Sequence, residues 1–128
     1  MQRFFRHIIL TITFLAAFTL AQAQGIVENI GGSIGTGNVG GISRYFDNAV
    51  SMTISGNQST YSRSQAEMIL RDFFSKNNAK GFSMERSSKG NNSYAIGTLA
   101  TSNGNYRAYF ALRQKDGGYV IQEIRLEK

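Results

Sequence analysis

SYAIGTLATSNGNYRAYFALRQKDGGYVIQEIRLE, residues 93–127, alternates apolar and polar side chains through three runs separated by Asn103-Gly104 and Asp116-Gly117-Gly118. Strict alternation is the pattern of half-buried strands, and Asn-Gly between two such runs is a strong hairpin signal. The reading predicts strands at 93–101, 105–115 and 119–127, with a further strand at 82–88 before them. A two-residue turn at Asn103-Gly104 sets Thr98 opposite Tyr109 and Ala100 opposite Arg107. At the second turn, a two-residue loop would set Phe110 opposite Glu123. A three-residue loop with a left-handed glycine at Gly118 sets Phe110 opposite Ile124 and Ala111 opposite Glu123. A slip of one residue exchanges the faces of a strand, so the register that segregates apolar from polar is the one expected.

That register predicts two unlike faces. One carries Ala95, Gly97, Leu99, Ala108, Phe110, Leu112, Val120, Ile124 and Leu126 and is the expected core side. Its small residues Ala95, Gly97 and Ala108 either admit a helix closely or leave a pocket. The other face carries Tyr94, Ile96, Arg107, Tyr109, Arg113, Tyr119, Ile121, Glu123 and Arg125. Aromatic and arginine side chains are enriched at protein interfaces. Arg125 opposite Tyr109 is placed for a cation–π contact.

Outward from this meander, Ala66, Ile69, Leu70, Phe73 and Phe74 recur at the i, i+3, i+4, i+7, i+8 spacing of a helix with one buried face. Ser62 with Gln65, or Ser64 with Glu67, forms its capping box. Glu67 and Arg71 suit an i,i+4 ion pair, and Lys76 and Lys80 suit the helix end. Phe73 is expected in the core or on a pocket wall. Earlier still, Val50, Met52 and Ile54 alternate with serine and threonine as a strand over 49–55, followed by a brief return strand over 58–61. Residues 25–46 are glycine-rich with a helical apolar rhythm, which predicts two short helices broken near Thr36-Gly37-Asn38. Glycine costs roughly 0.5–1 kcal/mol against alanine inside a helix, so packing must hold them.

The N-terminus reads as a targeting segment. Arg3 and Arg6 precede an uncharged apolar run from Ile8 to Leu20, and Ala21-Gln22-Ala23 is a signal-peptidase pattern. The run is shorter than the roughly 18 residues of a membrane span. The expected division is a signal peptide, 1–23, and one exported domain, 24–128, periplasmic or secreted. Processing would remove the only histidine, His7, and lower the formal charge from +6 to +4 through loss of Arg3 and Arg6. The remaining basic residues are scattered, which argues against nucleic acid as a partner.

The order helix, helix, strand, long helix and meander, with Gly37-Asn38, Ile42, Phe46-Asp47 and Val50, resembles the nuclear transport factor 2-like, or cystatin-like, cone fold. Tyr61-Ser62, Gln65-Ala66, Ile69-Leu70, Phe73-Phe74, Tyr94-Ala95-Ile96-Gly97 and Ile121-Gln122-Glu123 resemble a family of small exported bacterial proteins of unknown function. The resemblance implies an α+β fold of cone type, with N-terminal helices and one long helix on a curved, mainly antiparallel sheet. It carries no activity, because this fold hosts many.

Chemistry is sparse in the residues themselves. With no cysteine and no histidine beyond His7, a metal site would need oxygen ligands alone, and no calcium-loop motif is present. Gly35-Thr36-Gly37-Asn38-Val39-Gly40 spells GxGxxG but lacks the preceding strand and the following acid of a dinucleotide site. No metal or cofactor is expected. A cone-type isomerase needs a carboxylate base and a phenol donor in an apolar pocket. Asp47 with Tyr61 or Tyr106 are the candidates, with Asp72 and Glu28 the other acids near a cavity. Asp47 follows a helix and precedes a strand, an ordinary turn position for aspartate. The expected function is therefore non-catalytic binding of a small apolar molecule or a protein, as a homodimer through the Tyr/Arg face. A cofactor-free isomerase or lyase is the alternative.

Overall fold

The computed structural model describes residues 25–88, 90 and 92–128. The expected signal peptide and its cleavage site lie outside these residues. Helix α1 covers residues 25–36 and buries Val27, Ile30 and Ile34. It stops at Gly37, whose φ of 67° is left-handed, and Asn38 then caps α2, Val39–Ser43, by accepting a hydrogen bond from the Gly41 amide. The break falls where the glycine and asparagine predict it.

Strand β1, Phe46–Ile54, begins three residues before the expected strand, so Asp47 lies within a strand instead of a turn. A tight turn at Ser55-Gly56, both at positive φ, returns the chain as β2, Asn57–Ser62. Helix α3, Arg63–Lys76, follows at once. Ser62 and Gln65 form the capping box, Ser62 Oγ accepting from the Gln65 amide while Gln65 Oε1 accepts from the Ser62 amide. Ala66, Leu70, Phe73 and Phe74 are buried. Asn77 closes the helix, with both its backbone and side-chain N–H donating to the Phe73 carbonyl. Four strands complete the chain: β3, Ala79–Ser88; β4, Asn92–Thr101; β5, Gly104–Lys115; β6, Gly118–Glu127.

The sheet order is β2-β1-β6-β5-β4-β3, antiparallel except where β1 lies parallel to β6. Ala95, Leu99, Ala108, Phe110, Leu112, Ile124 and Leu126 are buried on the face that takes the helices. Gly97 has no space for a side chain, because a Cβ there would lie 2.6 Å from the Phe82 ring. The other edge of that ring meets Gly31 of α1, so two glycines form the slot that Phe82 fills. The small residues of the core face therefore serve close packing, and the cone interior is filled along this strip.

Both hairpins depart from the predicted turns. At the first, Thr101 pairs with Gly104, which places Thr98 opposite Arg107 and Ala100 opposite Asn105. The left-handed residue is Gly104, φ 101°. Asn103 is instead engaged with the end of α3, its Nδ2 donating to the Lys76 carbonyl at 2.7 Å and to Asn77 Oδ1 at 2.9 Å. The slip is of two residues, so each side chain keeps its predicted face. At the second hairpin Asp116 and Gly117 hold φ of 50° and 78°, a two-residue loop, and Gly118 is an ordinary strand residue paired with Lys115.

Phe110 nevertheless lies opposite Ile124, because a bulge at Gln122 adds one residue to β6 between Ile121 and Glu123. Beyond the bulge the phase of β6 is inverted. Ile121 is fully buried and Tyr119 packs against the core, whereas Val120 pairs with Arg113 on the outer face and is only half-buried. Tyr119 and Ile121 therefore leave the predicted interface, and Val120 leaves the predicted core. The start of β1 holds the inverted segment in place: the Ile121 amide donates to the Tyr45 carbonyl at 2.7 Å.

Candidate functional site

Two regions gather the residues singled out in the sequence. The first is the outer face of β4, β5 and β6. Tyr94 and Tyr109 stack there with ring centroids 6.1 Å apart, and the Arg125 guanidinium lies 5.4 Å over the Tyr109 ring. Tyr94 pairs with Ala111, which makes Tyr109 its diagonal neighbour within reach of a ring, and Tyr109 faces Arg125 directly on the next ladder. Arg125 bonds Glu123 at 3.2 Å, and Arg107 lies 3.6 Å from Glu85, whose carboxylate also accepts from Thr98 Oγ1. A shallow hollow of about 310 Å³ opens between Ile96, Arg107, Tyr109, Arg125 and Glu127. The Tyr109 phenol is pushed up from its ordinary value, chiefly by burial and then by the Glu123 charge.

Asp47 lies at the margin of this sheet with its side chain only 10% exposed. Lys115 Nζ donates to Oδ1 at 2.6 Å, Arg113 Nη2 to Oδ2 at 2.8 Å, and the Asn48 amide to Oδ1 at 2.8 Å. Lys115 and then Arg113 hold the carboxyl well below the usual carboxylate range, against the opposing effect of burial. A carboxylate so fixed is a poor general base, since efficient proton transfer needs a pKa near the working pH. Arg113, predicted as an interface residue, is thereby committed to its own chain. Arg113 and Lys115 stand two apart on one strand, so their shared face was readable. Their shared partner, 66 and 68 residues away, was not.

The second region is a cleft of about 340 Å³ between the end of α3, the β1–β2 turn and β5. Tyr61 and Tyr106 both line it, and so do Asp72 and Phe73, but Asp47 does not. The Tyr106 hydroxyl bonds Asn77 Oδ1 at 3.3 Å, and its ring meets Phe73 edge-on at 5.0 Å. Asp72 is exposed and paired with Lys76 at 3.1 Å. Of the five predicted core or pocket residues, Ala95, Gly97, Ala108 and Phe110 lie in the filled core, and Phe73 alone reaches the cleft. The sequence singled out Tyr61, Tyr106, Asp72 and Phe73, but no signal joined them into one cleft, which is assembled from the end of a helix, a turn and strand residues. Among the described residues no three His, Cys, Asp or Glu gather as a metal site, and no helix is long and apolar enough to cross a membrane.

Three helices on one face of a curved six-stranded sheet, the last strand closing in parallel against the first, define a nuclear transport factor 2-like cone fold. A nuclear transport factor 2-like protein of unknown function from Cytophaga hutchinsonii has this fold at 9% identity, with TM-score 0.58 over 81% of this chain and 87% of that one. Within the class, residues 27–127 match the family described as a domain of unknown function, DUF4783, and the chain belongs to that family. Crystal structures of family members from Bacteroides fragilis and Bacteroides ovatus are similar to it. The first has 34% identity and TM-score 0.72, covering 75% of this chain and 91% of that one. The second has 30% identity and TM-score 0.75, covering 78% and 92%. No curated protein matches the sequence.

Proposed function

We propose that this domain is an exported, non-catalytic interaction module that pairs with a second copy of itself through the outer face of β4, β5 and β6. The observation that carries the reading is the Tyr94–Tyr109–Arg125 stack beside Ile96, set in a hollow flanked by charges of both signs. A face bearing Arg107, Arg125, Glu123 and Glu127 together is complementary to itself under a twofold axis. Val120 adds apolar surface at its margin, while Arg113 belongs to Asp47. Stacked rings supply rigid contact area, and desolvating them beside guanidinium groups strengthens the contact. Light scattering of residues 24–128 across a concentration series tests the pairing. Tyr109→Ala combined with Ile96→Asp is expected to give a folded monomer. A wild-type chain that is monomeric throughout the series overturns the reading.

The second reading, a cofactor-free isomerase or lyase, is favoured by Tyr61, Tyr106 and Asp72 lining one cleft. Against it, Asp72 is solvated and bound to Lys76, and Asp47 is engaged with two cations elsewhere. Deuterium exchange next to the carbonyl of small ketones, abolished by Asp72→Asn in a folded protein, would reverse the order of the two readings.

A further inference from the structure

The cleft between α3 and the β1–β2 turn has the makings of a small-molecule site that does not depend on pairing of the sheet face. Its floor is apolar: Met52 and Phe73 are buried, and Ile54 and Ile69 pack beside them. Its volume of about 340 Å³ falls at the small end of the roughly 300–1,000 Å³ range of pockets that hold organic ligands. Helices α1 and α2 contribute nothing to its lining, and Met52 and Phe73 are where it abuts the packed core.

The polar groups of the rim decide what kind of head group fits. Asp72 is already matched by Lys76, and Asn77 Oδ1 accepts from both Tyr106 and Asn103 while its Nδ2 donates to the Phe73 carbonyl. Among the described residues, the Tyr61 hydroxyl and the Asn57 side-chain amide have no protein partner. Both can donate to an oxygen acceptor, and Lys76 supplies further donors on the same rim, whereas the one carboxylate there, Asp72, is held by Lys76. We propose that the cleft binds a small amphiphile whose apolar chain lies against Ile69 and Phe73 and whose carbonyl or carboxylate oxygen accepts hydrogen bonds from Tyr61 and Asn57.

Titration of residues 24–128 with octanoate, octanamide and octylammonium, followed by amide NMR shifts, tests this. Octanoate and octanamide are expected to saturate and to move the amides of Tyr61, Ile69 and Phe73, with octylammonium at least tenfold weaker. Preference for octanoate over octanamide would mark the head as an acid, and equal binding would mark it as a neutral carbonyl. Tyr61→Phe should weaken both acceptors roughly three- to tenfold, the effect of one hydrogen bond, while leaving the rest of the spectrum in place. Octylammonium binding as well as octanoate, shifts confined to another region, absence of saturation by all three probes, or an unaffected Tyr61→Phe would each overturn the proposal.

Discussion

Arg113 Nη2 lies 2.8 Å from Asp47 Oδ2, joining the second residue of β1 to the distal half of β5 across 66 residues of chain. Lys115 occupies the other carboxylate oxygen at 2.6 Å. The pair of contacts fastens the strand that leaves the N-terminal helices to the hairpin that ends the meander. Asp47 is the buried member of the cluster and the two cations remain partly exposed, so losing the carboxylate removes their hydrogen bonds while water still screens their charges.

Asp47→Asn should therefore cost about 2–3 kcal/mol, more than the loss of a turn residue, with the half-exposed cations limiting the effect. Urea denaturation at neutral pH measures it. A loss below about 0.5 kcal/mol, the level of an ordinary surface substitution, would mean that the cluster contributes nothing to folding.

The same carboxyl predicts an acid-side dependence of stability. Its folded-state pKa is depressed, so its contribution is fully present above the unfolded value of about 3.9 and is lost as pH falls below it. Denaturation curves between about pH 5 and pH 2 should show a steeper loss in the wild type than in Asp47→Asn. Parallel curves would contradict the assignment.

The second turn makes a prediction about neighbouring glycines. Gly117 sits at φ 78°, so Gly117→Val should cost about 1–2 kcal/mol. Gly118→Val should be near neutral, since a Cβ there meets only the Lys115 carbonyl at 3.8 Å. A larger cost at Gly118 than at Gly117 would place the left-handed residue one position later.

Within the core, a Cβ at Gly97 would collide with the Ser83 carbonyl oxygen of β3 as well as with the Phe82 ring, so Gly97→Ala should cost about 1–3 kcal/mol. Gly32→Ala, exposed in α1 with nothing near its Cβ, should stabilise by about 0.5–1 kcal/mol through helix propensity. Thermal melts of the two variants should move in opposite directions.

Export is tested by the N-terminus of protein recovered from its own host. Cleavage after Ala23 predicts a chain that begins at Gln24 and runs free of membranes. Retention of Arg3 in a membrane fraction would overturn the localisation.

What the residues determined alone is everything that depends on local periodicity and local hydrogen bonding. The Ala66–Phe74 stripe and the Ser62–Gln65 box specify α3, and Gly37-Asn38 separates α1 from α2. The alternation through 93–127 marks three strands and most of their inward side chains. Tertiary structure decided whatever needs two distant segments at once. The two-residue turn at Asp116-Gly117 demands one register, while packing Phe110 against Ile124 demands another. The bulge at Gln122, held by the Tyr45 carbonyl on Ile121, reconciles them and turns Tyr119 and Ile121 inward. Period-two alternation carries face parity only until an extra residue is inserted, and the ladder to β1 that accommodates the insertion is invisible along β6 itself. The same holds for Asp47, whose role rests on cations brought to it by the sheet, and for the cleft, whose walls meet only once α3 lies against β1 and β5.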